Sequence, residues 1–448
     1  MNKKIYQILD TKRIYPRMEI EVEVALKPES IISVGEMQSF FDQFVIDNSE
    51  LFISSINYNM LNDLQFKIMQ TAPFPSSDYY SAIDQIKVIG NKPPIKVHCY
   101  YLHYDDQEDD IVDNDGEILS IATQTILPSI QFLNDWDSII FDNFEDNIKK
   151  TLLKFMETSV KFADNNVRPD IVTSNRIILL HGPPGTGKTT ICHGLAQKLS
   201  ILYSRRFSSG IILEVNTHSL FSKWFAESGK MVKKLFDRLN NIAENTSILV
   251  FVLIDEVESI ATARQSSMNG SDPSDAIRVV NALLTQLDQL RKRKNVIVMA
   301  TSNLTECIDF AFLSRADIKQ YIGPPSKMAR YMILKSCISE LSEKGIIEPI
   351  YDLLDLDKMF MLSEKSIENT FPNTAKLLNS AYLAEGLSGR VLRRLPFLAF
   401  IYKKLSFPAP FSEFIVALDI AISKQAIDQP ESNKSEKTTD DNPETSPF

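Results

Sequence analysis

Along the middle of the chain, short continuous apolar runs alternate with stretches whose apolar residues recur every three or four positions. The runs Ile177–Leu180, Ile211–Val215, Ile248–Ile254, Val296–Ala300 and Lys319–Ile322 are predicted as strands separated by helices. Such alternation implies a parallel α/β sheet covered on both faces. The first hundred residues differ in texture. Glu19-Ile20-Glu21-Val22-Glu23-Val24 alternates with period two, the mark of a half-buried strand, and Ile95–Tyr101 reads as another. Between them, Gly35–Phe44 spaces its apolar residues like a helix, so a small α+β domain is expected over residues 1–103. An approach segment from Ile126 to Ile171, with a helix at Ile148–Phe162, leads into the main α/β domain, 126–325. Residues 326–427 read as a separate helical, lid-like bundle, and 428–448 as a disordered polar tail.

Charge and composition change this picture in a few places. Asp105-Asp106-Gln107-Glu108-Asp109-Asp110, followed by Asp113–Glu117, is too polar to bury, so 104–125 reads as a solvated acidic linker, with an acidic docking site as the alternative. The run resembles a calcium loop only superficially, because the terminal glutamate and flanking helices are missing. The net charge of −10 does not favour direct nucleic-acid binding. Cys99, Cys192, Cys307 and Cys337 form no C-x-x-C pair, which fits a reducing compartment and suggests neither zinc nor a disulfide framework. His98 and His103 lack partners at metal spacing and read as strand residues. The N-terminus has no signal-peptide core, and the longest apolar run, Ile248–Ile254, is too short to span a bilayer. A soluble, intracellular protein without membrane partners is expected. There is no internal repeat, hence one nucleotide module.

The chemistry starts where the first strand of the main domain empties into Gly182-Pro183-Pro184-Gly185-Thr186-Gly187-Lys188-Thr189. This is the phosphate-binding spacing G-x-x-x-x-G-K-[ST] between a strand and a helix. Its glycines let backbone N–H groups turn inward toward phosphate, and the helix N-terminus adds partial positive charge. Lys188 can reach the β- and γ-phosphates of ATP, and Thr189 can offer its hydroxyl to Mg²⁺. The third strand ends in Asp255-Glu256, two carboxylates too costly to leave there without a task or partner. Asp255 suits Mg²⁺ and Glu256 suits the attacking water, the alternative being a pair of helix-capping acids. Asn303, leaving the fourth strand, is placed to sense γ-phosphate and water, although alone it would be an ordinary turn residue.

These motifs, with Ala282–Asp288 and Ala300–Asn303, resemble the AAA+ ATPases. The resemblance implies a five-stranded parallel sheet of order 5-1-4-3-2, a C-terminal helical lid and a homo-hexamer with sites at subunit borders. It also implies that Arg315 is the finger given to the neighbouring subunit's nucleotide, a surface ion pair with Asp317 being the alternative. Arg390, in Gly386-Leu387-Ser388-Gly389-Arg390, resembles the sensor-2 arginine. Trp224 and Phe225 would be the pore-loop grip on unfolded polypeptide, or else a subunit-contact patch. Where many members carry glycine next, this chain has Ala226, a slightly stiffer loop. Ser266–Asp272 would be a second pore loop. Longer blocks, Ser219–Phe225, Pro273–Asn281, Arg315–Ser326 and Gly386–Arg393, with Trp136-Asp137-Ser138, are similar to the pachytene-checkpoint AAA+ ATPases (the thyroid-receptor-interactor-13 family) over about 120–425. That resemblance implies remodelling of HORMA-domain proteins from closed to open by pulling on their N-terminal segment, with or without a comet-type adaptor. Spindle-checkpoint silencing, meiotic chromosome-axis control, and a place in nucleus and cytoplasm come with it. A clamp-loader or initiator type of nucleic-acid ATPase, and a nucleotide-gated scaffold, are the competing readings.

Overall fold

The computed structural model describes residues 19–48, 75–89, 92–104, 109–112, 118–141, 148–168, 171–217, 228–259, 273–304, 308–360 and 362–427. The chain separates into two compact units, Met1–Gly323 and Pro324–Phe448.

In the first unit, β1 (Glu19–Leu26), β2 (Ile83–Ile89) and β3 (Lys92–Tyr101) form a sheet of order β2-β1-β3, with β2 antiparallel and β3 parallel to β1. Helix α1 (Val34–Asp47) covers one face, packing Met37, Phe41 and Phe44 against Val22, Val24, Leu26 and Val97. Its start is fixed by a capping box: Ser33 Oγ accepts the Glu36 N–H, and the Glu36 carboxylate accepts the Ser33 N–H.

Of residues 104–125, expected to form a solvated linker, 105–108 and 113–117 lie outside the described residues, and 109–112 and 118–125 are strand. There, β4 (Asp109–Val112) and β5 (Ile118–Leu127) pair antiparallel, and β5 joins the main sheet. The approach segment follows with α2 (Asp135–Ser138) and α3 (Ile148–Asp164). Then come β6 (Ile177–His181), α4 (Lys188–Leu202), β7 (Ser209–Asn216), α5 (Ser228–Glu244), β8 (Ile248–Asp255), α6 (Pro273–Leu290), β9 (Val296–Ser302), α7 (Phe310–Leu313) and β10 (Ile318–Tyr321). The sheet order is β10-β6-β9-β8-β7-β5-β4. From β10 to β7 all pairs are parallel, in the expected order, and β5 runs antiparallel beside β7. The parallel sheet is therefore the core of a mixed one. The reason is a backbone one: an open β7 edge would leave ladder groups unpaired, and β5 satisfies them whatever the charge nearby. Close packing shows at Gly210, where a Cβ would lie 3.1 Å from that of Leu127 and 2.3 Å from Ser200 Oγ.

Side-chain alternation along the buried strands serves two layers. Ile177, Leu179, Val250 and Val252 face Leu235, Phe236, Leu283 and Leu287 of α5 and α6. Ile178, Leu180, Phe251 and Leu253 face Leu152 and Met156 of α3 and Ile191, Leu195 and Leu199 of α4. The small N-terminal sheet packs directly on α4: Ala25, Tyr100 and Leu102 meet Ile201. The polar face of β1 is therefore not open to water. Lys198 of α4, its side chain 6% exposed, is paired with both Glu21 and Glu23, and Arg205 pairs with Asp42 at 2.7 Å. His98 lies buried here, and desolvation pushes its imidazole down to about 4, so it is neutral.

The second unit contains α8 (Lys327–Glu343), α9 (Pro372–Leu383), α10 (Gly389–Lys403) and α11 (Phe411–Ile427), with short helices at Leu356–Phe360 and Glu364–Thr370. Tyr331, Leu377, Leu392, Leu395 and Phe414 are fully buried in it. Among the described residues its one β feature is an isolated bridge, Ile347 to Ala409. The tail 428–448, expected to be disordered, lies outside the described residues.

Candidate active site

The glycine loop leaves β6 at the point where sheet order reverses around it. Gly182 has φ +139°, and a Cβ there would sit 2.3 Å from the carbonyl oxygen of Ile322, just past the neighbouring strand β10, so only glycine fits. Gly185 (φ +75°) and Gly187 (φ +93°) complete the curl, and Gly187 takes the N-cap position of α4 without a side-chain cap. Buried Lys188 donates from Nζ to the carbonyls of Gly182 (2.9 Å) and Pro183 (2.8 Å), which holds its ammonium over the loop. Thr186 Oγ1 donates to the same Pro183 oxygen at 3.0 Å.

Beside the loop, β8 delivers its two acids. Thr189 Oγ1 lies 3.2 and 3.3 Å from the carboxylate oxygens of Asp255. Thr301, from β9, donates its hydroxyl to Asp255 Oδ1 and accepts the Glu256 N–H at 3.3 Å. The Val257 N–H donates to the Thr301 carbonyl at 2.9 Å, and Thr217 Oγ1 to the Asp255 carbonyl at 2.8 Å. Glu256 itself has φ +56°, left-handed backbone that costs a non-glycine residue about 1–2 kcal/mol. Its Oε1 lies 3.4 Å from Asn303 Nδ2.

The structure thus brings together Lys188, Thr189, Asp255, Glu256 and Asn303. Thr217 and Thr301 were not identified from sequence. Thr301 stands within Ala300–Asn303, so a polar residue in an otherwise apolar strand was its available signal. The donor set suits Mg²⁺: a hydroxyl and a carboxylate about 3 Å apart match neighbouring ligands on an octahedron with bonds of about 2.1 Å. Among the described residues, no group of three or more His, Cys, Asp or Glu could hold a metal alone. A cation here would take its remaining ligands from phosphate and water, as Mg²⁺ commonly does.

Arg315 makes an ion pair within its own chain, but not with Asp317. Its Nε and Nη2 each reach a carboxylate oxygen of Asp288 on α6 at 2.8 Å, and its Nη1 donates to the Ala311 carbonyl at 2.7 Å. Asp317 instead accepts the backbone N–H groups of Asn175 and Ile177. Arg390 is exposed on the first turn of α10, in the second unit. Trp224, Phe225 and Ser266–Asp272 lie outside the described residues. No helix of the described residues is long and apolar enough to cross a membrane.

A parallel sheet with a phosphate loop at its switch point, a paired Asp–Glu on the third strand and a following helical unit define an AAA+ ATP hydrolase. The model of the ATPase family associated with various cellular activities matches residues 178–324, and that of the TRIP13-like AAA+ ATPase lid C-terminal domain matches 326–426. The human pachytene checkpoint protein 2 homolog is 45% identical over 77% of this chain and 81% of its own length. The C. elegans PCH-2 structure covers 91% of this chain and 99% of its own at 32% identity and a TM-score of 0.69. The chain belongs to the pachytene checkpoint protein 2 family. A structure of an E. coli MS115-1 HORMA:CdnC:Trip13 complex covers 66% of this chain at 15% identity and a TM-score of 0.50, a likeness of fold alone.

Proposed function

We propose that this ATPase works as a homo-hexameric ring that opens closed HORMA-domain proteins by drawing their N-terminal segment into its pore. The observation that carries the ATP-hydrolysing part of this reading is the adjacency of two pairs, Thr189–Asp255 and Glu256–Asn303, beside the Lys188 loop. ATP binds with its phosphates on the N–H groups of Gly182–Thr189, and Lys188 neutralises the β- and γ-oxygens. Thr189 and Asp255 hold Mg²⁺, which supplies charge neutralisation to the phosphates when bound. Glu256 orients the attacking water and accepts its proton at a carboxylate oxygen, while the Asn303 amide fixes that carboxylate and the water. Arg315 leaves Asp288 to meet the neighbouring subunit's nucleotide, and Arg390 reports nucleotide state to the lid. Trp224 and Phe225 grip the polypeptide.

HORMA recognition is supported by the family and its lid, which fits a TRIP13-like model, and by the complex in which a Trip13 chain of like fold was solved with a HORMA protein. With that reading go work in checkpoint silencing and at meiotic chromosome axes, in nucleus and cytoplasm. The test is ATP turnover and closed-to-open conversion of a HORMA protein, with and without a comet-type adaptor. Stimulated turnover with conversion is expected. Stimulation by DNA, with HORMA protein inert, would reassign the chain to nucleic-acid work.

A further inference from the structure

Glu258 lies just past the end of β8, outside the chemistry assigned above. Its Oε1 accepts the backbone N–H of Asn303 at 3.0 Å. That bond spans two strand ends the sheet itself no longer joins, since the β8–β9 ladder runs only from Val250–Val296 to Ile254–Ala300. Beyond the ladder, three backbone N–H groups donate between the ends and hold them in register: Glu256 N–H to Thr301 Oγ1, Val257 N–H to the Thr301 carbonyl, and Asn303 N–H to Glu258. The first two fix the Glu256 side. The third fixes the backbone of Asn303, whose amide stands at 3.4 Å from Glu256 Oε1, near the outer limit of a hydrogen bond. A small drift of Asn303 therefore breaks its contact with Glu256.

We propose that Glu258 is a positioning residue for ATP hydrolysis, its carboxylate anchoring Asn303 so that the Asn303 amide holds Glu256 in its working orientation. The inference rests on the roles given to Glu256 and Asn303 above. It separates two properties of the site. Lys188, Thr189 and Asp255 are held by the loop carbonyls, Thr301 and Thr217, so nucleotide binding does not depend on Glu258. Turnover does.

The experiment measures ATP affinity and steady-state turnover of the full chain carrying Glu258→Met, Glu258→Gln, Asn303→Ala, or Glu258→Met with Asn303→Ala. Misplacement of a catalytic contact by a fraction of an ångström to 1 Å predicts that Glu258→Met lowers kcat about 10- to 100-fold. KM and Kd for ATP should change by less than about threefold, because ground-state contacts remain. Glu258→Gln keeps an acceptor oxygen and should restore kcat to within about threefold of the parent. The double variant should be no slower than Asn303→Ala alone, since Glu258 acts through Asn303. Full kcat in Glu258→Met, with a fall in Asn303→Ala, would overturn this inference and leave the roles of Glu256 and Asn303 standing. Full kcat in Asn303→Ala would overturn the reading of Asn303 and the inference with it. Additive losses, or a Gln variant as slow as the Met variant with KM raised, would show a general structural role instead.

Discussion

Glu256 is held in left-handed backbone by groups that reach it from β9 and β7. Its N–H donates to Thr301 Oγ1, and its own carbonyl lies 3.3 Å from Thr217 Oγ1. A conformation costing about 1–2 kcal/mol persists only where its surroundings impose it. Here it turns the carboxylate toward Asn303 instead of along the strand. Glu256→Gln keeps the shape and removes the proton acceptor. ATP affinity should stay within about threefold while kcat falls about 10²–10⁴-fold, read by nucleotide binding and steady-state turnover. Normal turnover would remove Glu256 from the chemistry. Lys188→Ala should instead show its loss in ATP affinity; unchanged binding would sink the loop assignment. These residues were legible because each sits in a local motif: a glycine loop, or an acid pair ending an apolar run. Thr217, Thr301 and Glu258 were not, because their partners lie 38 to 46 positions away and meet only once the strands are ordered.

At the scale of elements, α4 is the shared beam. Its first turn carries the phosphate loop, its middle holds His193, and Lys198 ties its far half to the N-terminal sheet. His193 stacks on Phe132 and stands 3.0 Å from Glu214 and 3.6 Å from Asp135 of α2. Burial alone would lower its pKa, but the two carboxylates outweigh that and raise it to about 9. A folded pKa above the usual 6.5 means that the imidazolium contributes its full stability below pH 6.5 and loses it as pH rises through about 9. The melting-temperature gap between the parent and His193→Gln should thus be widest below about pH 6.5 and narrow by about pH 9.5. A gap independent of pH would show that His193 is neutral. Lys198→Ala leaves Glu23, 4% exposed, without its cation, and should cost about 3–5 kcal/mol in unfolding measurements. A cost under about 1 kcal/mol would mean that water reaches the pair. The alternation of β1 predicted a strand with one wet face. It could not reveal that a lysine from residue 198 covers that face, nor that residues 122–127, just after the acid-rich stretch, pair through their backbone with β7.

At the scale of the whole molecule, the contacts that Arg315 makes in its own chain end on Asp288 and Ala311 and not on the site beside Lys188. In a ring with sites at subunit borders, the same Arg315 belongs to the next subunit's nucleotide, and loss of such a finger typically costs about 10³–10⁵ in rate. The two arrangements make opposite predictions for mixtures. Lys188→Ala removes a subunit's own nucleotide and leaves its Arg315 intact; Arg315→Ala does the reverse. Each variant alone should be nearly inactive. Mixed in equal amounts and allowed to exchange, about one border in four pairs an intact Lys188 with an intact Arg315 from its neighbour. Turnover should then recover to as much as about a quarter of the parent value, if borders work independently. If Arg315 serves only its own chain through Asp288, every subunit in the mixture carries one defect and no activity returns. Separate assays of each variant, and of the mixture before exchange, distinguish recovery from residual activity.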